Sequence, residues 1–202
     1  MSAAYRDYSL DGPESRAAVD KGLASAQWYV PHIERKTLRR LTRRDDYHAL
    51  RDTGILLSVL LVAGYASCTL WQQGRYGPFS LAFWVYCTFY TSSGDSRWHE
   101  CGHGTAFRTR WMNDVLYEVA SFMVFRPSRV WRFSHARHHT DTDIVGRDPE
   151  IDPRPISMWN LCLAFFNYDG IKAGCAKLWA HAGGALLDSE KTYVPASEHA
   201  AV

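Results

Sequence analysis

The chain has 202 residues, a formal net charge of +2 and charged side chains at 22% of positions. That length sets one domain as the default, and so small a net charge gives no footing for a nucleic-acid partner. A mean hydropathy of -0.28 suggests a water-soluble protein, but the average conceals a strong segregation. Apolar residues concentrate between Thr53 and Tyr90, with charged stretches on either side.

From the N-terminus, residues 1–34 are mostly small and polar and read as a mobile tail. They contain no apolar core of a secretory signal. Trp28, Tyr29, Val30 and Pro31 at its end are suited to packing on the body or on a bilayer surface. A basic run follows, from Arg35 through Arg44 to Arg51.

From Thr53 to Trp71 the chain carries no charge, close to the roughly 20 apolar residues that a helix needs to cross a bilayer. QQGRYG makes a short polar turn, and a second uncharged run rich in Phe, Trp and Tyr extends from Gly77 to Ser93. The pattern predicts one transmembrane helical hairpin over about 53–93. A buried hairpin of a soluble bundle is the bland alternative, but such helices usually keep a polar face. The basic run before the first span, against Arg75 alone in the turn, puts both ends of the hairpin in the cytoplasm. The expected class is all-α, with a cytoplasmic helical region after the hairpin.

In that region Val115 to Phe125 is apolar but too short to span, and reads as interfacial or packed. Ser128, after Arg126-Pro127, is a candidate N-cap. Beyond Asp152-Pro153, Ile156 to Tyr168 is another short apolar segment suited to the interface, and residues 188–202 form a polar tail. The five cysteines are odd in number and show no CxxC pair, which argues against a disulfide framework or a thiolate zinc site.

Two histidine clusters carry the chemistry. In His99-Glu-Cys-Gly-His103, positions i and i+4 put both imidazoles on one helix face. Alone, such a pair is an unspecific signal in a chain with nine histidines. In His135-Ala-Arg-His138-His139, positions i, i+3 and i+4 bring three imidazoles to one face, which is much harder to reach by chance. Together they point to a metal site. HECGH also satisfies the H-E-x-x-H pattern of zinc metalloproteases, with Glu100 as general base and Glu118 as the nearest carboxylate ligand. That reading leaves HARHH unexplained. On spacing, Glu100 lies off the His99–His103 face and is no ligand in the oxygenase reading.

HECGH, followed after a short apolar segment by HARHH-TDTD, resembles the first two histidine boxes of the membrane fatty-acid desaturases, over about Arg35 to Asp152. The preceding hairpin and Asp148-Pro149-Glu150 after the second box fit the same resemblance. It implies a desaturase domain over 35–187. Its ligands would be His99, His103, His135, His138 and His139, shared between two non-haem irons. Asp141 and Asp143 become candidates for orienting the imidazoles from behind. O₂ as co-substrate and an acyl-lipid substrate in the bilayer are implied. So is an external ferredoxin-like or cytochrome-like electron donor, since the sequence has no flavin, haem or iron–sulfur motif. The implied location is an integral membrane protein with termini and boxes cytoplasmic. A lipid hydroxylase of the same diiron class shares every one of these features, and desaturation is preferred on the form of the two boxes.

The family's third box and second hairpin are not found. After His139 only His181 and His199 remain, isolated in sequence. The sequence therefore reads as an incomplete desaturase with little activity on its own. A membrane-anchored metal-binding remnant is the non-enzyme alternative.

Overall fold

The computed structural model describes residues 12–25, 29–92, 96–151, 159 and 168–202. Trp28 and nearly all of the apolar segment from Ile156 to Tyr168 lie outside them, so those two interface readings do too. Among the described residues every regular element is helical, as expected for an all-α chain. They divide into two compact units. One is residues 32–124, and the other joins residues 1–31 to 125–202.

The first unit holds α2 (Arg35–Leu41), α3 (Asp46–Gln72), α4 (Tyr76–Ser92), α5 (Trp98–Gly102) and α6 (Arg110–Met123). α3 starts before the apolar run because Asp45 caps it, accepting from the Tyr47 amide at 2.9 Å. At 27 residues it is about 40 Å long. With α2 before it, this is the one helical stretch among the described residues long and apolar enough to cross a membrane. Leu61, Val62 and Tyr65 on α3, and Leu81 and Trp84 on α4, are exposed.

α3 and α4 pack along each other. The buried positions of α3, namely Ala49, Thr53, Leu60, Ala63 and Ser67, fall on one stripe at helical spacing. Small residues let the two backbones approach. At Gly64 a Cβ would stand only 3.2 Å from the Tyr86 ring. The hydroxyls of Ser67, Ser80, Thr88 and Thr91 each donate to the carbonyl four residues back, so none is left unsatisfied in apolar surroundings. Gly74, at φ +69°, supplies the reversal between the helices.

The second unit contains α1 (Pro13–Asp20), α7 (Ser128–Thr140), α8 (Tyr168–Ala182), α9 (Asp188–Lys191) and a final 3₁₀ turn over Ala196–Ala201. α1 lies inside the segment read as a mobile tail, with Ser15 and Ala18 buried. Ser128 is the first residue of α7, and Pro127 stands at the cap position. The polar C-terminal stretch is also structured locally. Val194 is buried, and Arg129 of α7 pairs with Glu198 at 3.0 Å.

Its polar core is built on Glu190, which is 1% exposed. Burial pushes this carboxyl's pKa up, but bonds from Lys177, His181 and the Leu187 amide outweigh it and hold the group below its usual range. Lys177 Nζ and His181 Nε2 each stand 2.7 Å from it. A depressed folded-state pKa contributes stability above the unfolded value and loses it as pH falls through the folded value. Thermal unfolding should therefore show an acid-side loss of stability below the ordinary glutamate range. Glu190→Gln should remove that pH dependence and cost about 3 kcal/mol, because it strands Lys177 and His181.

Candidate metal centre

Box one sits on α5, a helix of five residues that could not persist alone. Its seat is the packing beneath it. Trp98 is 1% exposed, stacks on Tyr117 at 5.8 Å and donates its indole N–H to Ser121 Oγ at 2.6 Å. Cys101 is fully buried, and burial pushes its thiol up to about 11, so it stays protonated and inert. With Trp98 and Cys101 facing in, His99 and His103 lie on the other side, ring centroids 4.9 Å apart. Their ligand nitrogens come within 4.8 Å of one another. Glu100 is turned aside, its carboxylate 3.0 Å from the Arg97 guanidinium, at the edge of an open cleft of about 580 Å³ lined also by Arg44, Asp45 and His48.

Box two occupies the last two turns of α7. His135 is buried and stacks on Trp131 at 4.1 Å. Its Nε2 stands 3.0 Å from Nε2 of His139. At bond lengths of ~2.1 Å, two nitrogens at that separation subtend roughly a right angle at a shared metal. Two of the box's Nδ1 atoms are held by carboxylates. His135 Nδ1 is 3.0 Å from Glu150, and His138 Nδ1 is 2.8 Å from Asp148. A carboxylate on Nδ1 keeps the proton there and leaves Nε2 as a lone pair for a metal, the arrangement typical of imidazole ligands. The donor set fits a divalent metal in chemistry and in spacing.

The acids that do this are not the two expected from the sequence. Asp141 is buried and bridges Arg137 at 2.8 Å and Arg147 at 3.2 Å. Asp143 takes a left-handed conformation, φ +60°, and its amide donates to Asp148 at 2.9 Å. Chain reversal explains the shift. α7 ends at Thr140, and the turn over residues 141–147 brings Asp148 and Glu150 back alongside the helix. Sequence proximity favoured Asp141 and Asp143. The Asp148-Pro149-Glu150 signal was visible, but its partners were not. His181 and His199 are explained locally, by Glu190 and by the Val194 carbonyl at 3.0 Å.

Gly146 fixes this turn against α1. Its φ is +80°, and a Cβ there would fall 2.5 Å from the Ser15 amide nitrogen and 2.7 Å from the Glu14 carbonyl carbon. Backbone cannot yield as a side-chain tip can. Gly146→Ala should destabilise this unit by about 2 kcal/mol or more from overpacking and left-handed strain. It should also raise amide exchange over Pro13–Asp20, and an unchanged exchange pattern there would contradict this account of the turn.

Comparison with known proteins agrees with these features. Over 84 residues, 40% of this chain and 22% of the relative, it is 33% identical to the omega-6 fatty acid desaturase, endoplasmic reticulum isozyme 1, of Glycine max. Over 108 residues, 51% of the chain and 28% of the relative, it is 32% identical to the Delta(12)-acyl-lipid-desaturase of Punica granatum. A shorter match of 50 residues, 25% of the chain and 14% of the relative, is 32% identical to the sn-1 acyl-lipid omega-3 desaturase (ferredoxin) of Nostoc. The chain thus covers less than a third of the length of these relatives, and no solved structure matches it. The sequence model of the family described as fatty acid desaturase matches residues 78–191, more than half of the chain and both histidine clusters, so this chain belongs to the fatty acid desaturase family.

Proposed function

We propose that this chain contributes two histidine boxes to the diiron centre of a membrane-embedded acyl-lipid desaturase. The observation that carries this reading is the state of box two, with Nε2 of His135 and His139 3.0 Å apart and Nδ1 of His135 and His138 on carboxylates. In this reading His99, His103, His135, His138 and His139 are ligands of one shared site. Five imidazoles are part of the donor set that two irons need. Iron with O₂ supplies the oxidant that removes hydrogen from an unactivated methylene. The residues of this chain bind and orient. Glu150 and Asp148 hold the Nδ1 protons of His135 and His138, and Trp131 fixes the plane of the His135 ring.

α3 and α4 cross the bilayer as a hairpin with both ends cytoplasmic, in keeping with the basic residues before α3 and Arg75 alone in the turn. The substrate is an acyl lipid, as the names of the relatives suggest. The electron donor is ferredoxin-like, by analogy with the Nostoc relative. The peptidase reading is disfavoured because Glu100, its required base, is paired with Arg97. Desaturation is preferred to hydroxylation because every relative reported above is named a desaturase.

The test is iron binding and turnover of the full chain in lipid, supplemented with the C-terminal part of a related desaturase and a ferredoxin system. O₂-dependent unsaturation of an acyl lipid is expected by mass spectrometry. His138→Ala should abolish it, and Glu100→Gln should leave it largely intact. Asp148→Asn should weaken iron binding about 10–100-fold. One tightly bound zinc, peptide hydrolysis lost in Glu100→Gln and unaffected by His138→Ala would overturn the proposal in favour of a zincin.

A further inference from the structure

α6 is amphipathic in an inverted sense. Its inward face carries Asn113, Tyr117, Ala120 and Ser121, all buried. Two of these are polar and are satisfied inside the unit. Asn113 bonds both the amide and the carbonyl of Phe107 at 3.0 Å, and Ser121 accepts from Trp98. The outward face carries Trp111, Val115, Val119 and Phe122, at i, i+4, i+8 and i+11, a single stripe along the helix. They are 61%, 52%, 49% and 77% exposed. Such a contiguous exposed apolar stripe marks a contact surface.

The two ends of α6 fix its height along the membrane helices. At its start, Thr109 donates through its amide and its hydroxyl to the Asp46 carboxylate, at 2.9 and 2.6 Å. Asp46 is the first residue of α3. At its end, the Met123 carbonyl accepts from the Tyr90 hydroxyl, two residues before the end of α4. α6 is thus tied across the polar ends of α3 and α4, which lie at the same end of the pair because the helices are antiparallel. Asp46 is seven residues before Thr53, where the apolar part of α3 begins, or about 10 Å. Tyr90 lies within the uncharged run of α4. The helix therefore descends from the headgroup level towards the hydrocarbon boundary. Its composition follows that descent. Arg108, Arg110 and Trp111 stand at the outer end, where cations meet phosphates and Trp favours the interface. Val119 and Phe122 stand at the deeper end.

We infer that α6 lies in the bilayer interface, with Trp111, Val115, Val119 and Phe122 seated among lipid headgroups and upper acyl chains. The box-one helix α5 packs on the opposite face of α6. The depth of α6 thereby sets the height of His99 and His103 above the hydrocarbon. The inference rests on the reading that α3 crosses the bilayer, and the test separates the two.

The experiment uses the full chain in phosphatidylcholine vesicles containing phosphatidylglycerol, with Cys68, Cys87, Cys162 and Cys175 replaced. Cys101 is kept, since it is buried and its thiol is protonated. Single variants Val115→Cys, Val119→Cys and Trp111→Cys carry a bimane label, so no one variant's folding decides the result. Leu61→Cys on α3 is the membrane control, and Arg40→Cys on α2 the aqueous one. Brominated lipids should quench Leu61 and the α6 labels but not Arg40, and the depth at Val119 should exceed that at Trp111, within about 5–10 Å of the headgroup boundary. Lipid quenching at Leu61 with free iodide access to the α6 labels would overturn the inference alone. Labels on α6 shielded from both quenchers would overturn it in favour of a protein partner. Absence of lipid quenching at Leu61 would sink the membrane reading itself.

Discussion

Asp148 is fully buried, and a buried carboxylate must have its lone pairs filled or it unfolds what surrounds it. Here each partner is a structural element. One oxygen accepts from His138 Nδ1 and from the Asp143 amide, and the other accepts from the Glu150 amide. The first bond orients an imidazole of box two. The second pins the left-handed residue at which the chain turns back after α7. The third places Glu150, whose own carboxylate reaches His135 and Ser134. One side chain therefore fixes both ring orientations and the loop that supplies them. Removing any one of these bonds disturbs the other two, because the donors share two oxygens.

The two boxes are held in different ways. Box two depends on polar bonds beside the helix, and its hydrogen-bond partners follow α7 by only a few residues. Box one depends on apolar packing beneath a single turn, through Trp98 and Cys101, and on α6 as the surface they rest on. His99 and His103 inherit their positions from side chains that never approach a metal. This makes the residues between the histidines as consequential as the histidines themselves. At Cys101 a polar or larger side chain would have to enter a fully closed space, although the position itself carries no chemistry.

The helices and the histidine clusters were legible in the sequence because their signals are local. An uncharged run of the right length, or imidazoles at i, i+3 and i+4, needs no knowledge of tertiary structure. Three other features were not legible. The choice of Asp148 and Glu150 over Asp141 and Asp143 depends on a chain reversal set by positive φ at Asp143 and Gly146, which leaves no periodic trace. α1 lies in a segment of small polar residues, and its burial comes from the approach to Gly146, a contact between residues far apart in sequence. The role of Glu190 was hidden for a related reason. Lys177 and His181 reach it from α8, so an acidic stretch near the C-terminus reads as solvated until its partners are known.

α6 shows how the same limit applies to amphipathicity. Val115 to Phe125 reads as either interfacial or packed, and periodicity alone cannot choose, since it gives a stripe but not its direction. The direction is set by polar residues on the other face. Asn113 and Ser121 can be buried only because Phe107 and Trp98 present matching donors and acceptors. That pairing consumes the inward face. An apolar stripe on the remaining face is then not a defect of the core but its complement. Because Asp46 and Tyr90 tie the helix ends to α3 and α4, the stripe cannot rotate inward without breaking three hydrogen bonds, and so its exposure is a built property of the unit.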